Sequence, residues 1–243
     1  MSPVSPDIVK EFAPTGTLRA AINQGNSVLA QKGANGEALG ITVDLARELA
    51  RRLAVPIELI TFDAAGKVFD ALKRGVWDIA FLAVEPVRAA EIDFTAPYVL
   101  IEGTYMVPKD SALQAIEDVD RAGVRIAVAT GSAYDLYLTR TIKSATLVRA
   151  PTGPAALDMF ERDKLEAAGG VKQPLVEFAA RNPAVRVMDG RFMAIQQAMG
   201  MPKGRPRAHQ YLRGYVEEMK ASGFVADALK RSNQPDAVVA PKA

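Results

Sequence analysis

The stretch "DIAFLAVEPVRAAEIDFTAPY" (78–98) joins two unlike pieces. "DIAFLAV" (78–84) is a nearly unbroken apolar run, the pattern of a strand buried on both faces. A single guanidinium, Arg88, follows a few residues beyond its end. Working backwards, "AGKVFDALKRG" (65–75) predicts a short helix closed by Gly75, and "PIELITF" (56–62) a strand. "GITVDLARELARRLA" (40–54) sets Leu45, Leu49 and Leu53 with Ala46 and Ala50 at helical spacing. "TLRAAI" (17–22) reads as the first strand. Strand–helix–strand–helix–strand implies parallel strands joined by right-handed crossovers. Ligands of such open sheets sit beyond the carboxyl ends of strands, which is where Arg88 falls.

Forwards, the pattern repeats. "DSALQAIEDVDRAG" (110–123) predicts a helix or helical turn, "VRIAVAT" (124–130) a strand, and "GSAYDLYLTRTI" (131–142) a turn running into a helix. "ATLVRA" (145–150), "PTGPAALDMFERDKL" (151–165) and "PAVRVMD" (183–189) add a strand, a helix and a strand. "PRAHQYLRGYVEEMKASG" (206–223) predicts a long helix, with a second helical segment to about Arg231. The tail "SNQPDAVVAPKA" is expected to fray.

Composition bounds the function. The chain has 243 residues, 49% of them hydrophobic, enough for two lobes with real cores. The net charge is +2 with dispersed basic residues, which argues against a nucleic-acid surface. There is no cysteine, so disulfides and thiolate metal sites are excluded. No apolar run of about 18 residues is present, so no transmembrane helix is expected. The opening "MSPVSPDIVKEFAPTG" lacks the pattern of a secretory signal. The sequence has no Gly-x-Ser-x-Gly elbow, no dinucleotide fingerprint and one histidine, His209, expected at the surface. Catalysis and cofactors are therefore not expected. A dehydratase-type enzyme using Glu85, Glu102 or Asp135 as a general acid is the enzymatic alternative.

The ordered motifs resemble those of the bacterial family 3 extracellular solute-binding proteins, the amino-acid-binding subunits of ABC importers. They are "GITVDLARELARRL", "ALKRGVWDIAF", "RAAEIDFTAPY", "IAVATGSAYDLYL" and "EEMKASGFVADALKR", spanning roughly 14–232. The resemblance implies a two-lobe α/β fold of the type II periplasmic-binding-protein kind, each lobe a mostly parallel sheet flanked by helices. Lobe 1 would comprise 1–106 plus 201–243 and lobe 2 107–200, with hinges near Met106 and Met199 and the ligand cleft between the lobes. It also implies a membrane permease as partner, a monomeric state and a periplasmic location. A cytosolic or sensory ligand-binding module is the alternative for a chain without a signal peptide.

On this resemblance Arg88 holds the ligand carboxylate through its rigid donor fork. The competing role is a structural ion pair with Glu91 or Asp93. The amides of Ser132 and Ala133, at a helix start, would meet the same carboxylate, and Ser132 is also a natural N-cap. Tyr134 is either a ligand wall or packing for the second lobe. Glu85 is expected at the cleft mouth, orienting Arg88. The departures bear on the ligand. Asn23 and a position near Val171 stand where the family's ammonium-binding acids fall, and Asn26 and Ala65 stand where its stacking aromatics fall. Ala83 and Val84 replace polar residues, and Lys172 is placed to meet a second acid group or water. An ammonium would find no counter-charge, so the expected ligand is a keto or hydroxy acid or a short diacid. Trp77, Phe94 and Tyr98 are expected to pack.

Overall fold

The computed structural model describes residues 3–234 and 237–243. The chain divides into two compact units, Met1–Leu100 with Gln196–Ala243, and Ile101–Ile195.

In the first unit, helix α1 (Pro6–Phe12) precedes β1 (Leu18–Asn23), and a small hairpin, β2 (Gln31–Lys32) and β3 (Ala38–Leu39), leads into α2 (Ile41–Leu53). Then come β4 (Ile57–Phe62), α3 (Ala65–Leu72), β5 (Ile79–Ala83), the single turn α4 (Pro86–Ala89) and β6 (Ile92–Pro108). β1 lies between β4 and β5 and is parallel to both. The leucines spaced along α2 are all buried, as are Ala46 and Ala50. Each such leucine contributes about 1.5–3 kcal/mol. Gly40 is required at the start of α2: its φ is 110°, and a Cβ there would lie 2.6 Å from the Leu29 carbonyl oxygen. Trp77 is fully buried against Val68, Ala71 and Leu82, and its indole N–H donates to the Val68 carbonyl at 2.9 Å.

The second unit repeats this plan. β7 (Arg125–Ala129), α5 (Ala133–Thr141), β8 (Thr146–Ala150), α6 (Gly153–Arg162) and β9 (Ala167–Val171) follow one another, then α7 (Lys172–Arg181) and β10 (Val185–Val187). β7 is parallel to β8 on one side and β9 on the other, the same middle–edge–other-side order as β1, β4 and β5. β9 pairs antiparallel with β6, with Gly103 opposite Val171. β11 (Met193–Pro202) returns the chain to the first unit, where it pairs antiparallel with β5. α8 (Pro206–Ala221), α9 (Phe224–Arg231) and β12 (Val238–Val239) complete it.

One sequence expectation narrows and two change. Of the helix or helical turn expected over 110–123, the shorter form is present, a 3-10 turn at Ile116–Val119 that ends before Gly123. There Asp118 accepts from the Gln114 and Ala115 amides, and this local bonding competes with a helix. The tail does not fray as a whole. β12 pairs with β6 opposite Val99 and Leu100, Ala240 donates to the Tyr98 carbonyl, and Lys220 donates to the carbonyls of both Pro97 and Pro241. Residues 235–236 of that expectation lie outside the described residues. His209 is only partly exposed, because its Nε2 meets the Phe94 carbonyl at 2.9 Å.

Candidate functional site

β5 is buried along its whole length and ends at Ala83. The five residues that follow invert the ordinary polarity of a surface turn. Val84 and Val87 are exposed, while Glu85 is 3% and Arg88 1% exposed. Glu85 caps the single turn α4, Pro86 opens it, and Arg88 sits three residues after the cap, its amide donating to the Glu85 carbonyl at 3.0 Å. The Arg88 guanidinium donates from Nη1 to the Ala83 carbonyl at 3.0 Å. Burial pushes its pKa down to about 10, and the Glu85 charge opposes that shift. Of the two acids expected as structural partners, Glu91 pairs with Lys73 at 3.7 Å.

At the end of β1, the Asn23 carbonyl oxygen of the side chain accepts from the Gly25 amide at 3.0 Å. The buried Asn26 side chain accepts from the Val28 amide at 3.2 Å. Both amides organise the loop that carries them. Ala65 begins α3.

In the second unit the turn after β7 is closed by its own helix. Ser132 caps α5, its hydroxyl accepting from the Asp135 amide at 3.0 Å. Its own amide donates to the Ala129 carbonyl at 3.1 Å, and the Gly131 amide donates to the Asp135 carboxylate at 2.8 Å. Asp135 is buried and is held in turn by Arg149 at 2.9 Å. The Ser132 amide is thus occupied within the turn, whereas Ala133 stands at the first helical position. Tyr134 belongs to the unit's apolar core beside Leu138, and burial pushes its phenol up to about 12.

Beyond β9, Val171 gives way to Lys172, whose ammonium meets the Glu102 carboxylate at 2.9 Å. Arg191 approaches the other oxygen of Glu102 at 3.3 Å. Two cations on one carboxylate hold Glu102 below the usual carboxylate range. Sequence reasoning found no carboxylate at this end of β9. Glu102 comes from β6, seventy residues earlier, and the Gly103–Val171 register brings it there. Glu166 lies at the opposite, amino end of β9, bonded to Arg125, and Glu177 lies on α7. Neither stands at the carboxyl end of the strand. Among the described residues, no group of three His, Cys, Asp or Glu side chains could hold a metal ion, and no helix is long and apolar enough to cross a membrane.

The ordered motifs, the doubled sheet and the buried arginine define a binding protein of the type II periplasmic class. The chain belongs to the bacterial extracellular solute-binding proteins, family 3, whose sequence profile matches residues 18–232. It is 23% identical over 208 residues to the amino-acid-binding protein AabA of Dichelobacter nodosus, covering 83% of this chain and 81% of that one. It is 23% identical over 219 residues to the histidine-binding periplasmic protein of Salmonella typhimurium, covering 82% and 81%. The solved structure of the solute receptor for L-cysteine of Neisseria gonorrhoeae superposes with a TM-score of 0.81 at 21% identity, covering 94% of each chain.

Proposed function

We propose that this chain is the solute-binding subunit of an ABC importer and captures a small carboxylate-bearing solute, handing it to a membrane permease. It acts as a binder, not a catalyst, in the periplasm and as a monomer. The single observation that carries the reading is Arg88: a desolvated guanidinium just past the carboxyl end of the buried strand β5. A carboxylate on such a fork gains about 1.5–3 kcal/mol net. Lobes divided near Met106 and Met199, closing over the solute with Ser132, Ala133 and Tyr134 opposite Arg88, are the arrangement the family offers.

The preferred solute is a keto or hydroxy acid or a short diacid. Asn23 and Val171 supply no charge for an ammonium, and Glu102 already carries Lys172 and Arg191. That group keeps a net positive balance, which suits a second acid function. An ordinary amino acid is the competing solute, and the names of the relatives favour it.

One calorimetric series tests both levels. A keto acid and its matched amino acid are titrated into the parent, Arg88→Ala and Arg88→Lys. Both variants should lose about tenfold to 100-fold in affinity. Arg88→Ala binding as tightly as the parent would end the capture reading. Tighter binding of the amino acid would keep the capture reading and overturn the keto-acid preference.

A further inference from the structure

We propose that residues 237–243 are a strap with Lys220 as its buckle, fastening the last stretch of β6 inside the first unit to α8. The ground is a lysine out of its usual place. Lysine ammonium groups ordinarily stand in water. The Lys220 side chain is only 5% exposed and pairs with Glu217, one turn back on α8, at 2.6 Å. Its ammonium donates to the Pro97 carbonyl of β6 at 3.2 Å and to the Pro241 carbonyl of the tail at 2.8 Å. An ammonium so far out of water is held where acceptors meet its donors, and here they come from three separate stretches of chain. Glu217 adds a second grip on the tail, accepting from the Ala243 amide at 3.3 Å. Ahead of these grips, Ala240 is 3% exposed and its amide donates to the Tyr98 carbonyl at 3.1 Å. Val239 and Val238 pair antiparallel with Val99 and Leu100.

Apolar packing is a weak anchor for this tail. Val238 is 60% exposed, and β12 has two residues where a strand usually has about five or six. Ordering each residue of the tail also costs backbone entropy. The polar clip supplies what the apolar contact does not, so the strap depends on one side chain. Its position gives it a consequence. Residues 97–100 are the last of β6 within the first unit, which breaks off at Leu100 and resumes at Gln196. α8 is the first helix after β11 brings the chain back. Lys220 therefore ties the strand on which the chain leaves this unit to the helix that follows its return. With the strap fastened, β6 is fixed as far as Leu100, and any bend in the strand falls beyond that residue. The device serves the first unit whatever solute the molecule takes, so it stands apart from the capture reading above.

Amide hydrogen exchange, read by nuclear magnetic resonance without added solute, tests the strap. Lys220→Met keeps the buried stem and removes the ammonium. Exchange at the Ala240 amide should quicken by about tenfold or more, the stretch 98–100 should follow, and β1 should keep the parent's rates. Deletion of 237–243 should quicken 98–100 at least as much, again without change in β1. A parent-like rate at Ala240 in Lys220→Met would remove the buckle. Parent-like rates at 98–100 in the deletion would remove the strap. Equal acceleration in β1 and β6 would mark a general loss of stability and overturn the proposal as well. Should the deleted chain fail to fold, Lys220→Met decides alone: local release of Ala240 and 98–100 supports the strap, and parent-like or uniform exchange overturns it.

Discussion

The bases of the two central strands carry the same latch, built from different parts. In the first unit, Arg19 of β1 donates from Nε and Nη2 to the two oxygens of Asp78, each at 2.9 Å, and from Nη1 to the Gly75 carbonyl at 2.7 Å. In the second, Arg125 of β7 donates from Nε and Nη2 to the two oxygens of Glu166, each at 2.9 Å, and from Nη2 to the Lys164 carbonyl at 2.7 Å. In both, the arginine's own amide also donates to the carboxylate. Each latch ties the middle strand to the residue that opens the next parallel strand. The burial differs. The Asp78 side chain is 0% exposed and has a second cation, Arg205, at 3.2 Å, whereas the Glu166 side chain is 37% exposed with Arg125 alone. The shorter aspartate sits under the return segment that follows β11, and the longer glutamate reaches out to water. At the opposite ends of the same strands the resemblance stops. β5 leads to the buried Glu85 and Arg88, and β9 leads to the open Lys172 and Glu102. The repeat is kept where it holds the sheet together and abandoned at the strand ends that the proposed function uses.

The largest test of this comparison is Asp78→Ala. It removes the fully buried partner of two cations that are each 22% exposed, so the loss should be about 3 kcal/mol in urea unfolding. The corresponding Glu166→Ala should cost no more than about 1 kcal/mol, because its partner can hydrate. Equal losses at both positions would mean that burial does not separate the two latches.

Much of this was legible beforehand, and the failures have a common cause. The leucine spacing of 45, 49 and 53 and the apolar run at 79–83 each specify one element by local periodicity, and α2 and β5 formed there. Arg88 was legible as the residue to watch, since it is the one cation in the segment just past that run. Its burial with Glu85 was not, because exposed valines beside buried ions reverse the rule by which a turn is read. Glu102 was named only as a possible acid, and its place beside Lys172 was missed because it depends on which strand pairs with β9, a long-range register that no short motif encodes. The tail was misread for the same reason: "AVV" is too short to declare itself a strand until β6 offers an edge.

A smaller effect tests the ends of the strands. Lys172→Met removes one of the two cations on Glu102 while Arg191 remains. Stability should change by about 0.5 kcal/mol or less, since the pair is partly exposed. Affinity for a diacid should fall by more than affinity for the matching monoacid in calorimetry. Equal losses for the two acids would remove Lys172 from the second-acid role.

The smallest expected effect is also the most specific to the second latch, because it lies in pH. The Arg125 guanidinium and two backbone amides hold Glu166 below the usual carboxylate range. A carboxyl group lowered in the folded state binds its proton less readily there than in the unfolded chain. Its contribution is therefore complete above the unfolded value, about 4.3, and is lost as pH falls through the lower folded value. Glu166→Gln keeps the shape and one acceptor but has no proton to bind in this range. At pH 7 the parent should exceed Glu166→Gln by about 1 kcal/mol or less, given the exposure of both partners. Below pH 4 the gap should close, because the parent then carries the neutral acid as well. Urea unfolding of both proteins from pH 7 down to pH 3 makes the comparison directly. A gap that stays constant, or widens toward acid, would show that the bond geometry and not the charge carries this latch, and the two halves of the molecule would then differ in kind and not only in burial.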